Sequence, residues 1–498
     1  MPTIMKLNKL IKDLEYKDIL FPDNRNISNI EYDSRKCQKD SLFVAIKGEI
    51  SDGHDFIESV IENGGCVVVC EEFPQELIIK SNKNIVFILV ENTRKSLAIL
   101  SHTFFNFPCQ AMKIFGITGT NGKTTTTHLL KQILEFGGMK TGLIGTNGIW
   151  IGQEKIPTTH TTPESLEIAK ICYDMKKSGV THLVMEVSSH SLEQFRTFGI
   201  NFDITGFLNL SHDHLDYHGS MSEYAKSKKI LFDNLKENSL SIANADDKYS
   251  DFILSETKAK KITFSMKGKS ENYNIHLKKE ENDNVDLNNT NFRVDRNLHI
   301  NSPLIGLFNV QNLTMSILMA RYSGLKDEII MKSMEVISPP EGRMQKITLD
   351  NGAISVIDFA HTPDALQNVL LTLRELLKRD NPQSSSRLIC VFGCGGDRDK
   401  TKRSQMGAIA TRFSDFVVIT SDNPRTENPD EIISDVANGT VSENYELIPE
   451  RKEAIKKAIS ESISGDIILI AGKGHENYQI IGTKKTHFSD YDEVKKYI

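Results

Sequence analysis

Gly119-Thr120-Asn121-Gly122-Lys123-Thr124-Thr125 holds the residue types that grip a phosphate chain. An apolar run, Met112 to Ile117, precedes it and reads as a strand; His128 to Leu134 follows with helical spacing. A strand, a Gly-rich turn and a helix N-terminus turn backbone N–H groups toward an anion. Lys123 would reach the terminal phosphates, and the Thr124 hydroxyl would hold Mg²⁺. The general P-loop pattern places a Gly five residues before Gly122, where this chain has Ile117, so the loop is a shorter variant. A tight turn that bound nothing would have no use for Lys followed by a run of Thr.

Other chemistry-bearing clusters follow apolar runs. Glu186, in Met185-Glu186-Val187-Ser188-Ser189-His190, comes after Thr181–Val184 and reads either as a Mg²⁺ ligand or water orienter or as a helix N-cap. Asn209 to Gly219, after the strand Ile204–Leu208, packs three His and two Asp into eleven residues, a density that points to a metal or substrate site. Lys226, Lys228 and Lys229 lie on a helical stretch whose apolar face is Tyr224, Leu231 and Phe232; composition alone makes them a solvated surface. Further on, four strands end in charged or Gly-rich loops: Asp358 to Asp364, Gly393 to Lys400, Ser421 to Arg425 and Gly472 to Glu476. Four such loops at one sheet edge describe a binding crevice. Arg398 and Arg425 suit fork-like carboxylate recognition, and Glu476 suits an ammonium.

These clusters need a large scaffold. At 498 residues the chain exceeds one core, and about three domains are expected. We place them at 1–110, 111–338 and 339–498, with Pro339-Pro340 breaking the chain direction. Short strands such as Ser41–Ile46 and Cys66–Val69 alternate with helical patterns in the first. The C-terminal runs Ile354–Phe359, Leu388–Phe392, Phe416–Thr420 and Ile467–Ala471 argue a doubly wound sheet. Lys267–Asn301 is polar and reads as exposed hairpins or a surface excursion. The net charge of −6 argues against a nucleic-acid partner. No apolar run approaches a bilayer span, and the N-terminus lacks a signal-peptide core, so no membrane association is expected. Seven scattered Cys are read as reduced thiols in a cytoplasmic protein.

Assembled, these residues resemble the Mur ligase family nearly end to end, and within it the branch that adds diaminopimelate. The resemblance implies three α/β domains: a small N-terminal domain, a central P-loop ATPase-like parallel sheet and a C-terminal Rossmann-like doubly wound domain. Asp33-Ser34-Arg35, Asp40 to Ala45 and Lys47 to His54 resemble the family's UDP-binding domain. Gly119 to Thr125 is similar to its ATP loop, with Asn312, Arg343 and Asp358 falling where the family contacts adenosine and phosphate. Ser34, Thr161, Thr162, Ser188, Gln194 and Arg196 match residues that meet a UDP-N-acetylmuramoyl dipeptide. His214 and Lys228 match a metal ligand and a carbamylated lysine; with Thr124 and Glu186 they would serve Mg²⁺. Asp422-Asn423-Pro424-Arg425 is the mark of the diaminopimelate branch, and Arg398, Gly472 and Glu476 would complete that subsite. His212 and His160 depart from the usual residues. The implied activity is ATP-dependent amide ligation through an acyl phosphate, with ATP as co-substrate, in precursor synthesis for the cell wall and thus for cell shape and division. A monomer is expected. A folylpolyglutamate synthetase-like ligase and a non-catalytic nucleotide switch are the alternatives; the first domain and the D-N-P-R loop oppose the former, and a switch would need neither Lys228 nor the four C-terminal loops.

Overall fold

The structure is a computed structural model describing residues 4–48, 51–80, 83–277, 289–380 and 385–498. Three sheets, each mainly parallel, follow one another along the chain. The first has five strands in the order Asp18–Leu20, Val86–Leu89, Val67–Cys70, Ser41–Val44 and Asn29–Glu31; the first of these alone runs antiparallel. Val67-Val68-Val69-Cys70 is buried throughout, as befits a parallel strand covered on both faces. Ser41–Val44 and Val67–Cys70 are the two strands expected from the sequence, shifted or shortened at their ends.

The central sheet has nine strands. Lys113–Thr118 lies inside it, between His182–Glu186 and Ile204–Phe207, both parallel to it. The phosphate loop and the loops after Glu186 and Phe207 therefore leave the same edge of the sheet. That common edge brings the first three sequence clusters together. The polar stretch from 267 is less exposed than its composition suggested. Tyr273–Asn274 extends the central sheet, and Thr290–Arg293 pairs with His299–Ser302. Phe292, Val294, Leu298 and Ile300 of this hairpin are buried in the core. Alternation every second residue hides one apolar face within a polar composition. Residues 278–288 of that stretch lie outside the described part.

The C-terminal sheet has six strands. The four expected runs are all present and parallel, but Ile467–Ala471, the last in sequence, sits between Ile354–Asp358 and Leu388–Phe392. Two mostly polar edge strands, antiparallel Gln345–Thr348 and parallel Tyr445–Leu447, had no clear signal in the sequence. One apolar cluster runs from Leu129 and Leu313 of the central unit to Leu366, Val369 and Leu370 of the C-terminal one. Pro339-Pro340 lies in the irregular segment between helix Asp327–Ser333 and strand Gln345–Thr348. Among the described residues no helix is long and apolar enough to cross a membrane.

A buried ion pair fixes the end of the inserted strand. Arg451 donates to both oxygens of Asp490 at 2.7 Å and to the Ala471 carbonyl at 3.0 Å. Both side chains are fully buried. Asp490→Ala would strand a buried guanidinium, and chemical denaturation should register a loss of about 3–5 kcal/mol. A loss under about 1 kcal/mol would show that the pair does not anchor this strand.

Candidate active site

The phosphate loop is held tightly from behind. Gly122 has φ of +89°, and a Cβ there would stand 2.4 Å from Asn312 Oδ1. Helix Lys123–Phe136 begins at the next residue, so its free N–H groups open toward the loop. Lys123 Nζ donates to the Gly119 and Thr120 carbonyls at 2.8 and 2.9 Å. The Thr124 hydroxyl donates to Glu186 Oε2 at 3.0 Å. Glu186 closes its strand, fully buried, and also accepts from the Thr146 N–H and hydroxyl at 2.8 and 3.0 Å. Ser188 caps the following helix, so the N-cap reading of Glu186 is excluded. A Cβ on Gly145 would meet Glu186 Oε1 at 2.3 Å, which accounts for the glycine beside the carboxylate.

Lys228 is not on the surface. On helix Met221–Asp233 it is 1% exposed, and its Nζ donates to the Gly119 carbonyl at 3.0 Å. Burial, reinforced by the Lys123 charge, pushes its ammonium well below the ordinary lysine range. Its Nζ lies 4.6 Å from the Tyr224 ring centroid, and the Tyr224 hydroxyl is 3.2 Å from Thr120 Oγ1. Lys226 is exposed as composition suggested, but Lys229 is buried and ion-paired with Asp233 at 2.6 Å. Lys226 and Lys229 are three residues apart and so are neighbours on the helix surface; what separates them is what packs around each.

The histidine cluster splits. His212 and His214 line a wide cavity, while His218 is buried against Ser189 Oγ at 2.9 Å and Glu193 Oε1 at 3.2 Å. The His214 ring stands 5.0 Å from His190 and 6.1 Å from Tyr224, so it shares Tyr224 with Lys228. The side chain of Asp216 lies outside the described part. Among the described residues no three His, Cys, Asp or Glu side chains are gathered as a metal site. The hard oxygen donors present are Glu186 and Thr124, whose 3.0 Å contact suits a small cation such as Mg²⁺.

Two cavities flank this centre. One is lined by Asn121, Gly122, Thr125, Asn312, Arg343 and Asp358, uniting residues expected at the nucleotide. Arg343 lies over the Phe359 ring, 4.7 Å from its centroid, with Nη2 3.4 Å from Thr124 Oγ1. Burial raises the Asp358 carboxyl, an effect the Arg343 charge opposes. The other cavity is lined by His214, Arg398, Asp422, Asn423, Arg425 and Glu476, together with Gly472. Pro424 instead packs under Gly396. Lys473, fully buried, donates to Asp422 Oδ1 at 3.1 Å, Asn423 Oδ1 at 3.2 Å and Glu476 Oε2 at 3.4 Å. Its signal in the sequence is a Lys between two glycines at a strand end.

The residues expected at the dipeptide form a chain of bonds. Thr162 Oγ1 donates to the Glu186 carbonyl at 2.7 Å and accepts from Ser188 N–H at 3.2 Å. Arg196 donates to the Thr162 carbonyl at 2.9 Å and to Gln194 Oε1 at 2.7 Å. Thr161 meets Thr146 hydroxyl to hydroxyl at 3.0 Å. Ser34 belongs to the N-terminal unit, in the short helix Ser34–Lys36; nearby Tyr32 reaches across to Glu167 at 3.0 Å.

Comparison with known proteins bears on all of this. Three family profiles match: "Mur ligase family, catalytic domain" over residues 26–105, "Mur ligase middle domain" over 117–320 and "Mur ligase, glutamate ligase domain" over 342–474. UDP-N-acetylmuramoyl-L-alanyl-D-glutamate–2,6-diaminopimelate ligase 1 of Clostridium acetobutylicum is 43% identical, covering 99% of both chains. The corresponding ligase of Bacillus cereus is 38% identical over 99% of this chain and 98% of its own. A solved structure of a UDP-N-acetylmuramoyl-L-alanyl-D-glutamate–2,6-diaminopimelate ligase superposes with a TM-score of 0.68 at 31% identity, covering 100% of this chain and 99% of that one. A D-alanyl-D-alanyl-adding ligase structure from Acinetobacter baumannii, 18% identical with a TM-score of 0.63 over 95% and 96% of the two chains, shares the fold.

One side chain of the C-terminal unit ties the phosphate loop to the histidine loop. Asp364, in the first turn of helix Pro363–Asp380, accepts from Asn121 Nδ2 at 3.0 Å and Ser211 Oγ at 2.9 Å. Asp364→Ala removes the acceptor shared by the phosphate loop and the histidine loop. Turnover should fall by about tenfold or more, while small-angle scattering shows a larger radius of gyration at unchanged helix content. Wild-type turnover with unchanged scattering would contradict that bridging role.

Proposed function

This chain belongs to the Mur ligase family, and from that premise we propose that it joins meso-diaminopimelate to UDP-N-acetylmuramoyl-L-alanyl-D-glutamate at the expense of ATP. The observation that carries this reading is the cavity lined by Arg398, Arg425 and Glu476 together with His214. That cavity offers cations for a carboxylate and an anion for an ammonium, the two ends by which diaminopimelate is held. The proposed domains, 1–110, 111–338 and 339–498, each contain one of the three large sheets.

In this reading the dipeptide's γ-carboxylate attacks the γ-phosphate of ATP, giving an acyl phosphate and ADP. The deprotonated amine of diaminopimelate then attacks the acyl carbon, and phosphate leaves. Two anions must meet in the first step, so the chain's task is positioning and charge neutralisation. Lys123 turns from the loop carbonyls to the phosphates, and Arg343 adds a second cation beside Thr124. Thr162, Gln194 and Arg196 present the dipeptide, with Ser34 at its uridine end. Mg²⁺ held by Thr124 and Glu186, with His214 and carbamylated Lys228, would offset the negative charge of phosphate and carboxylate. The fit is chemical. Lys228 is buried and disfavoured as a cation, so its neutral amine can add CO₂ and release a proton. The resulting carbamate is an anionic oxygen donor of the kind Mg²⁺ takes.

The direct test is phosphate release with each substrate omitted in turn. Release should require ATP, the UDP-dipeptide and diaminopimelate together, with lysine a poor replacement; release with the dipeptide absent would overturn the reading. Arg425→Ala should raise the KM for diaminopimelate about 30-fold or more, since a lost charge-assisted pair costs about 2–5 kcal/mol. The KM values for ATP and UDP-dipeptide should hold. An equal rise for all three would remove Arg425 from the amino-acid subsite. Lys228→Ala should be inactive and regain part of its turnover with added formate or acetate. Full activity without rescue would exclude Lys228 from the mechanism.

A further inference from the structure

The last β-hairpin, Tyr478–Ile481 paired with Lys484–His487, belongs to none of the three large sheets. An isolated two-stranded hairpin is marginal in water, so it must be held by what it touches. What it touches is the D-N-P-R loop. Arg425 N–H donates to the Ile480 carbonyl at 3.1 Å, and Gly482 N–H donates to the Arg425 carbonyl at 2.6 Å. Ile480 N–H donates to Asn423 Oδ1 at 3.0 Å, and Gln479 Nε2 donates to the Asp422 carbonyl at 2.7 Å. Three of the four loop residues are thus held from one side by one hairpin strand and its turn.

The loop needs such a hold. Arg425 has φ of +50°, a left-handed conformation that a long side chain rarely adopts unless its surroundings impose it. Its guanidinium donates to the Gly396 carbonyl at 2.8 Å, and Arg425 lines the cavity. The hairpin reaches the opposite end of the subsite as well. Tyr478 OH donates to Glu476 Oε1 at 3.3 Å, and Asn423 Nδ2 donates to Glu476 Oε2 at 2.9 Å. One strand therefore contacts both the group suited to a carboxylate and the group suited to an ammonium.

Resting on the proposed ligase reading, we infer that this hairpin is the ruler of amino-acid specificity, with Gln479 as the positioning residue that sets the D-N-P-R loop against Glu476. Gln479 itself need not touch the amino acid. It fixes the Asp422 carbonyl by a side-chain amide, the one bond of the four made by a side chain of the hairpin. Diaminopimelate and lysine differ by one carboxylate, so a loop displaced from its place loses what Arg425 adds and keeps what Glu476 adds.

The test compares wild type, Gln479→Glu and Gln479→Lys. Glutamate keeps the shape but presents an acceptor to the Asp422 carbonyl; lysine restores a donor. The KM for diaminopimelate should rise about tenfold in Gln479→Glu, and the preference over lysine should shrink by the same factor. KM values for ATP and the UDP-dipeptide, and the melting temperature, should stay at wild-type levels. Gln479→Lys should recover most of the loss. An unchanged KM for diaminopimelate, an equal rise for all three substrates, or a Gln479→Lys variant no better than Gln479→Glu would overturn the inference. Should wild type show no diaminopimelate-dependent phosphate release at all, the ligase reading falls and this inference with it; an active wild type beside a silent variant removes the inference alone.

Discussion

Two lysines donate to one carbonyl. Lys123 and Lys228 both reach the Gly119 oxygen, at 2.8 and 3.0 Å, in a place largely closed to water. Two ammonium groups this close repel strongly where solvent cannot screen them. The arrangement is tolerable because one of them is not obliged to be a cation. Burial lowers both; the Glu186 charge opposes the effect at Lys123, whereas the Lys123 charge adds to it at Lys228. Much of the centre follows from that constraint. Helix Met221–Asp233 must present Lys228 and Tyr224 to the loop, and the buried Glu186 must supply compensating charge to Lys123.

The same logic governs the C-terminal side of the crevice. Lys473 is fully buried, and three polar side chains surround it at 3.1 to 3.4 Å. Burial alone would raise the Asp422 carboxyl; the Lys473 and Arg451 charges keep it below the usual carboxylate range. Asp422 and Glu476 are thus set in place by a cation the chain carries itself. Arg451, locked to Asp490, keeps the end of the strand Ile467–Ala471 from moving, and Gly472 to Glu476 continue from it. This cavity is walled by a polar framework whose members are largely satisfied, so a ligand would meet an arrangement formed in advance.

Much of this was legible in the sequence because strong local patterns carried it. The phosphate loop, the strand before it and the four C-terminal strands all show apolar runs bounded by glycines and charges. What was illegible depended on three-dimensional neighbours. Nothing local distinguishes Lys229 from Lys226, yet one is buried beside Asp233 and the other exposed. Composition made the stretch from 267 look like surface, but Phe292 and Ile300 alternate inward. Glu186 had two readings until Ser188 proved to be the cap and Thr146 a second partner. Asp364 and Gln479 act only through residues far away in sequence, Asn121 and Asp422, so no motif could assign them. The position of Ile467–Ala471 in the middle of its sheet is a matter of chain crossing that no strand pattern encodes.

The account therefore turns on the chemical state of Lys228. Wild-type protein and a Lys228→Ala variant, each equilibrated with ¹³C-bicarbonate, Mg²⁺, ATP and the UDP-dipeptide, can be compared by ¹³C NMR. We expect one carbamate resonance in the wild type that is missing from the variant and fades as labelled CO₂ is purged, in step with activity. An enzyme that turns over at full rate with no such resonance would contradict the account, since Lys228 would then supply no anionic oxygen to Mg²⁺.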